Sequence, residues 1–224
     1  MSKRVLVTGG SRGIGKSIVE LYREHGYVVE APGRSELDLA APASVETFLD
    51  RVRASGIGYD IVVNDAGVNL INEIDKVNDC DLEEMLSVNL LSPIRLLRGL
   101  VPHMKEKHFG RIVNIGSIWG VISKPGRSIY SATKHGLHGI STTLALELAP
   151  YGILVNTVAP GQTMTELTVR NNPGDAIKKM EEDIPVGRLA QPVEIAKAVL
   201  WLGSEENTYI TGQQIVVDGG LTIK

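Results

Sequence analysis

Arg4-Val5-Leu6-Val7-Thr8-Gly9-Gly10-Ser11-Arg12-Gly13-Ile14-Gly15 is the stretch on which the fold turns. A short, almost wholly apolar run reaches a glycine-rich turn, and helical periodicity begins at once beyond it, over Ile14–His25. That succession opens a βαβ unit whose first strand is covered on both faces. Glycines at the turn permit a tight reversal and let backbone N–H groups close on a phosphate at the positive end of the helix. Gly15 would also let the helix pack close to the strand. The spacing Gly9, Gly13, Gly15 departs from G-x-G-x-x-G, so the dinucleotide reading rests on the strand before and the helix after. A purely structural glycine turn is the alternative.

The same alternation runs through the rest of the chain. Strands are expected at Arg4–Thr8, Tyr27–Ala31, Ile61–Asn64, Arg111–Ile115, Leu154–Val158 and Gln214–Val217. Helices are expected at Ile14–His25, Ser44–Ala54, Asp81–Lys107, Ile129–Ala149 and Pro192–Gly203. Near-continuous apolar strands between amphipathic helices predict an α/β fold, a doubly wound parallel sheet of Rossmann type. Residues 1–224 read as a single dinucleotide-binding catalytic domain. Two segments read as loops: Ala31–Asp38, and Pro160–Leu189 with a short helix near Ala176–Glu182. A connection as long as the second is expected to serve as a variable substrate loop.

Bulk properties exclude several classes. The net charge of −3 and pI near 6.0 leave no basic footprint for nucleic acid. No apolar run nears the ~20 residues that span a bilayer. The basic start Met-Ser-Lys-Arg runs into the glycine turn too soon to be a secretion signal, which points to the cytoplasm. A single cysteine, Cys80, cannot pair within the chain, as suits a reducing compartment. His135 and His138 lack further ligands at metal spacing, so no metal site is expected.

Charge selects the nucleotide. Where the second strand ends, about 20 residues past the turn, a carboxylate would hold a ribose 2′-hydroxyl. The chain has Pro32-Gly33-Arg34-Ser35 there. Arg34, with Arg12 as a second guanidinium, would pair with a 2′-phosphate and favours NADP(H) over NAD(H). Glu30 and Glu36 flank the place and oppose that reading, and both arginines simply solvated is the alternative.

Tyr130 and Lys134, in Tyr-Ser-Ala-Thr-Lys, share one helix face. A free phenol titrates near ~10 and is a poor acid–base at neutral pH. An adjacent ammonium favours phenolate and brings it toward the working range. Alone, such a pair is common by chance. Ser117 lies just past the strand Arg111–Ile115, at the carboxyl edge of the sheet where ligands sit, and would hydrogen-bond a carbonyl oxygen that Tyr130 protonates.

Together these features resemble the short-chain dehydrogenase/reductase family over nearly the whole chain. The matching signatures are Thr8–Gly15, Asn64-Asp65-Ala66-Gly67, Asn89 in Ser-Val-Asn-Leu, Ser117, Tyr130 with Lys134, Pro160-Gly161, and Tyr209–Gln213 before Val217–Gly220. The resemblance implies Tyr130 as general acid in reduction and base in oxidation. It implies that Lys134 lowers the tyrosine pKa and holds the nicotinamide ribose, that Ser117 orients the substrate oxygen, and that Asn89 positions a relay water behind Lys134. Gly9, Ser11, Arg12, Gly13, Ile14 and Gly15 would line the cofactor, with Arg34 and Ser35 at the adenosine end. Asp38 and Leu39 would line its adenine. Asn64, Ala66 and Gly67 would face the adjoining ribose, and Pro160, Gly161, Thr163 and Thr165 the carboxamide.

Within the family, Ile184-Pro185-Val186-Gly187-Arg188 and the C-terminal run resemble 3-oxoacyl-(acyl-carrier-protein) reductases. An acyl-carrier-bound or small-molecule carbonyl substrate is therefore expected, and a homo-oligomer, tetramer or dimer, through the tyrosine-bearing helix and the C-terminal strand. A non-catalytic NADP(H)-binding sensor or scaffold is the alternative function. Two departures stand out. Asn-Asp-Ala-Gly replaces Asn-Asn-Ala-Gly, a change expected to alter local hydrogen bonds without touching the chemistry. The helix that the family usually inserts between the second and third strands is missing, which should open the adenosine pocket. Trp119 is a candidate wall of the substrate pocket.

Overall fold

The computed structural model describes residues 2–172 and 174–224. Its strands are β1 (Arg4–Thr8), β2 (Val28–Glu30), β3 (Ile61–Asn64), β4 (Gly110–Ile115), β5 (Ile153–Pro160) and β6 (Gln214–Val217). Among the described residues they form one parallel sheet in the order β2-β1-β3-β4-β5-β6. The helices are α1 (Gly13–Glu24), α2 (Pro42–Ser55), α3 (Asp79–Leu86), α4 (Ser92–Lys107), α5 (Ser128–Leu148), α6 (Glu166–Asn171), α7 (Ala176–Asp183) and α8 (Pro192–Gly203).

The expected doubly wound α/β architecture is present. Every residue of β3 and β4 is buried, as their unbroken apolar character requires. One face of the sheet carries Leu6, Val62, Ile112 and Val155 against Phe48 of α2, Leu96 and Leu100 of α4, and Leu148 of α5. The other carries Val5, Val7, Val63 and Val113 against Ile18 and Tyr22 of α1 and Ile195 and Val199 of α8. Alternate residues of each strand thus feed two separate cores.

Several expected boundaries move for physical reasons. The second strand shrinks to Val28–Glu30 because it is the sheet edge, leads into Pro32, and leaves Val28 half exposed. A turn closed by Gly33 carries the chain to the buried Leu37 and Leu39. α2 then crosses back before β3, so the expected absence of a helix between the second and third strands is corrected: the short loop is only the connection that leads into it. The long helix expected at Asp81–Lys107 is interrupted by a π segment, Ser87–Leu91. Pro93, at the start of α4, cannot donate to the preceding turn and forces that break. The long loop holds two helices rather than one: besides α7 there is α6, capped by the Thr165 hydroxyl, which accepts from Thr168 N–H. Pro173, within that loop, lies outside the described residues.

The order 2-1-3 places a topological switch between β1 and β3, where successive connections leave to opposite sides. Ligands of open α/β sheets bind in the crevice at the carboxyl ends of such strands. Thr8-Gly9, Asn64–Gly67, Ser117 and Pro160-Gly161 all lie along that edge.

Candidate active site

The glycine turn after β1 is a cradle that side chains would fill. Gly9 has φ +74°, and a Cβ there would stand 2.8 Å from the Ala66 backbone. A Cβ on Gly15 would collide with the Gly9 carbonyl and the Asp65 carboxylate. Thr8 Oγ1 accepts from Ala66 N–H at 3.2 Å, which ties the two loops of the switch together. The first-turn N–H groups of α1 have no partner within the helix and face the crevice end of the sheet. Ser11 and Arg12 stand exposed beside them. From across the crevice Thr165 comes close to Gly13, while Thr163 is buried. Gly161 N–H donates to Val217 O at 2.9 Å, which fixes the end of β5 against β6. A Cβ at Gly161 would meet the Asp218 backbone, so this turn too needs glycine. These features fit a dinucleotide.

At the adenosine end, Arg34 is exposed and its Nε donates to Asp38 Oδ2 at 3.2 Å. The flanking acids are both engaged away from it. Glu36 accepts from Gly33 N–H at 3.0 Å, and Glu30 is held by Tyr59, Arg51 and Arg4. Glu30 is thus neutralised by cations, whereas Glu36 keeps its charge beside Arg34 and the exposed Ser35. The structure turns Leu39 into the core, so that position offers its surroundings backbone rather than side chain.

The catalytic candidates converge at the carboxyl end of β4. Ser117 is buried. Burial raises the Tyr130 pKa above the ordinary phenol value, and contacts with the Ser117 hydroxyl and the Arg127 guanidinium offset that only in part, so the net shift runs against the lowering expected from Lys134. Lys134 is buried, with Nζ donating to Ile115 O at 2.7 Å and lying 5.6 Å from the Tyr130 ring. Desolvation lowers its pKa to about 8. The Tyr–Lys pair predicted on one helix face is therefore formed, with Ser117 brought beside it.

Asn89 sits in the π segment with no exposed surface. Its amide is fully used by protein: Oδ1 accepts from Val68 N–H at 2.8 Å, and Nδ2 donates to Val68 O at 2.8 Å and to Thr133 Oγ1 at 3.2 Å. Thr133 in turn donates to the Tyr130 carbonyl. Asn89 thus braces the loop after β3 against the first turns of α5. A second buried chain, Asn64 to Asn114 to Ser141, with Thr157 also donating to Ser141, locks the ends of β3, β4 and β5 to that helix.

Two residues take parts that sequence reasoning did not assign. Asp65 accepts a hydrogen bond from Gly15 N–H, and burial raises its pKa to about 7. Its charge favours the ammonium of Lys134 and works against a Tyr130 phenolate. Asp65 thus does more than alter local hydrogen bonds, since its charge acts on Lys134. Arg127, one residue before α5, is the other. The signal for it was available, since residues three apart at a helix start share a face. Trp119 follows Ser117 on a short turn, with Lys124 Nζ 5.8 Å from the centre of its ring. No cluster of three metal-ligating side chains occurs among the described residues.

A nucleotide cradle beside a buried acid–base pair defines an oxidoreductase of Rossmann type. A family profile described as Enoyl-(Acyl carrier protein) reductase matches residues 16–222. The 3-oxoacyl-(acyl-carrier-protein) reductase FabG of Escherichia coli K12 is 38% identical over 98% of this chain and 97% of its own. That of Vibrio cholerae serotype O1 is 36% identical over the same shares. Among solved structures, ElxO with NADP bound superposes with a TM-score of 0.91 at 28% identity, covering 100% of both chains. A 4-hydroxyisoleucine dehydrogenase complexed with NADH gives 0.94 at 26% identity, again over 100% of both. The chain belongs to the short-chain dehydrogenase/reductase family.

Proposed function

We propose that the protein is an NADPH-dependent carbonyl reductase acting on 3-oxoacyl thioesters carried on an acyl-carrier protein, with Tyr130 as general acid. The observation that carries this is the convergence of Ser117, Tyr130 and Lys134 above a glycine cradle at the switch point of the sheet. The relatives named as 3-oxoacyl-(acyl-carrier-protein) reductases span almost the whole chain. They support the substrate class, and the NADP-bound ElxO supports the cofactor.

When bound, the reduced cofactor supplies the hydride. The chain's own residues do the rest. Ser117 and Tyr130 hold the substrate carbonyl oxygen, and Tyr130 passes its phenolic proton to that oxygen as charge builds there. Lys134, kept cationic partly by Asp65, stabilises the phenolate left behind and holds the nicotinamide ribose. Asn89 acts by fixing the helix start that carries both residues, beyond any relay water it orients. Gly9 to Gly15 cradle the pyrophosphate. Arg34, with Arg12 and Ser35, takes the 2′-phosphate, and Asp38 and Leu39 border the adenine. Asn64, Ala66 and Gly67 border the adjoining ribose. Pro160, Gly161, Thr163 and Thr165 meet the carboxamide, and the connection that carries α6 and α7 contributes to the substrate site.

The reading includes a cytoplasmic homo-oligomer. The exposed free thiol of Cys80 suits a reducing compartment. Exposed apolar side chains on the π segment, α4 and α5, namely Leu91, Ile94 and Leu146, suit a subunit interface.

Tyr130→Phe tests the assignment. Turnover of a 3-oxoacyl thioester should fall by about 10²–10⁴, while the Kd for NADPH, followed by nucleotide fluorescence, stays within about twofold. Retained turnover would remove Tyr130 as the acid. Arg34→Ala should weaken NADPH by about tenfold and leave NADH nearly unchanged, as expected for loss of a charge-assisted bond. Equal losses for the two nucleotides would refute the 2′-phosphate contact.

A further inference from the structure

We propose that the turn Asp218–Lys224 is a clamp that positions α7 at the substrate site, with Lys224 as a positioning residue for binding of the acyl chain. The inference rests on the carbonyl-reductase reading, in which the connection that carries α6 and α7 contributes to that site.

Every residue of α7 is half-buried or exposed, so no seat in the core fixes where this helix lies. With 8 residues it is also too short to be stable in water by itself. Its position must come from its ends. Beyond its C-terminal end the chain enters the core at Ile184 and then lies against the turn after β6. Val186 N–H donates to Gly219 O at 3.2 Å. Gly219 and Gly220 have φ of +65° and +90°, and a Cβ would stand 2.8 Å from Ile184 on the first and 3.1 Å from Pro185 on the second. Both the left-handed backbone and the close approach require glycine there.

Asp218 builds the turn. Its Oδ1 accepts from Gly220 N–H at 2.8 Å and its Oδ2 from Thr222 N–H at 2.7 Å, while its backbone packs on Gly161. A short 3₁₀ turn, Leu221–Ile223, then carries Lys224 to the end of α7. There Nζ donates to Glu182 O at 3.4 Å, to Asp183 O at 3.3 Å and to Asp183 Oδ1 at 3.5 Å. The last carbonyls of a helix have no partner within it, and they form the negative end of its dipole. A cation belongs at that end. The last turn of α7 instead carries Glu181, Glu182 and Asp183 and no basic side chain, which is the wrong sign. Lys224 supplies from 41 residues away in sequence the charge that the helix lacks. A continuous route thus runs from the Gly161 turn through Asp218 and Lys224 to α7.

Amide hydrogen exchange reads the clamp without reference to turnover. In Lys224→Gln the amides of α7 should exchange about two- to fivefold faster than in wild type, the change expected when a cation is taken from a helix C-terminus. Amides of β1 and β4 should be unmoved, which reports that the variant is folded. Lys224→Arg should restore most of the protection. Raising the ionic strength should speed exchange in α7 of the wild type and not of Lys224→Gln, because an exposed ion pair is screened by salt. The KM for a long-chain 3-oxoacyl thioester should rise in Lys224→Gln by about the same factor, with kcat and the NADPH Kd nearly unchanged, the pattern of lost binding rather than lost chemistry. Unchanged exchange in α7, or a loss confined to kcat, would overturn the proposal. Were no thioester reduced by the wild type, the carbonyl-reductase reading would fail and take the acyl-chain role with it, while exchange would still decide the clamp.

Discussion

A carboxylate at position 65 alters the electrostatics of Lys134 in a way that an amide there would not. Asp65 bonds to Gly15 N–H, within the cradle, and its charge helps keep Lys134 protonated. The consequence for stability follows from linkage. Burial raises the Asp65 pKa from 3.8 to about 7, so the folded protein holds a proton that the unfolded chain releases. That contribution is complete below the unfolded value and is lost as pH climbs toward the folded one. Asp65→Asn should therefore gain stability progressively from the ordinary carboxylate range up to neutral pH and level off above it. A rise in pKa of that size corresponds to a gain on the order of 4 kcal/mol in denaturant melts at pH 8. A variant no more stable at pH 8 than wild type would contradict this. Lys134 moves the other way: its pKa falls to about 8, so turnover should decline above that pH as the ammonium is lost. Removing the Asp65 charge should shift that alkaline limb of kcat/KM to lower pH.

The element that orders the site is α5, and its first turns are held from outside. Asn89 reaches Thr133 and both backbone groups of Val68 from the π segment, and π turns are frequent where a helix must offer a side chain out of register. Asn89→Ala removes three hydrogen bonds in a buried place. It should cost about 1–3 kcal/mol of stability and lower kcat more than it weakens NADPH, since the brace acts on Tyr130 and Lys134. An unchanged kcat would show that the helix start holds its place unaided. The glycine turn is the other constrained element. Gly9→Ala combines a left-handed φ of +74° with a close approach to Ala66. Nucleotide affinity should fall steeply in that variant while the melt shifts by only about 1–2 kcal/mol, because the turn lies outside both cores.

For the whole molecule, two cores on opposite faces of one parallel sheet leave the carboxyl edge as the place where loops from distant parts of the chain meet. Surface left over bears on assembly. Leu146 on α5 is 80% exposed and Tyr209, before β6, is 92% exposed, more than isolated apolar residues usually need to be. Leu146→Glu should lower the mass measured by light scattering if that face joins subunits, and an unchanged mass would place the interface elsewhere.

Much of this was legible in residue order alone. Arg4–Thr8, Ile61–Asn64, Gln214–Val217 and Pro192–Gly203 are local matters of apolar run, turn glycine and capping proline, and their predicted limits agree with the structure. So is the shared face of Tyr130 and Lys134, which helical geometry imposes wherever the helix lies. The expectation of one helix over Asp81–Lys107 failed at Ser92-Pro93, where the apolar period continues but the donor is missing. The inward turn of Leu39, the engagement of Glu30 and Glu36, the proximity of Asp65 to Lys134 and that of Arg127 to Tyr130 all needed the tertiary structure. Periodicity and turn chemistry act between near neighbours, whereas burial and charge depend on partners that the sheet brings together from distant parts of the chain. The glycine turn after β1 suggests a nucleotide by its sequence context; its position beside Asp65, Ala66 and Thr165 is the work of the fold.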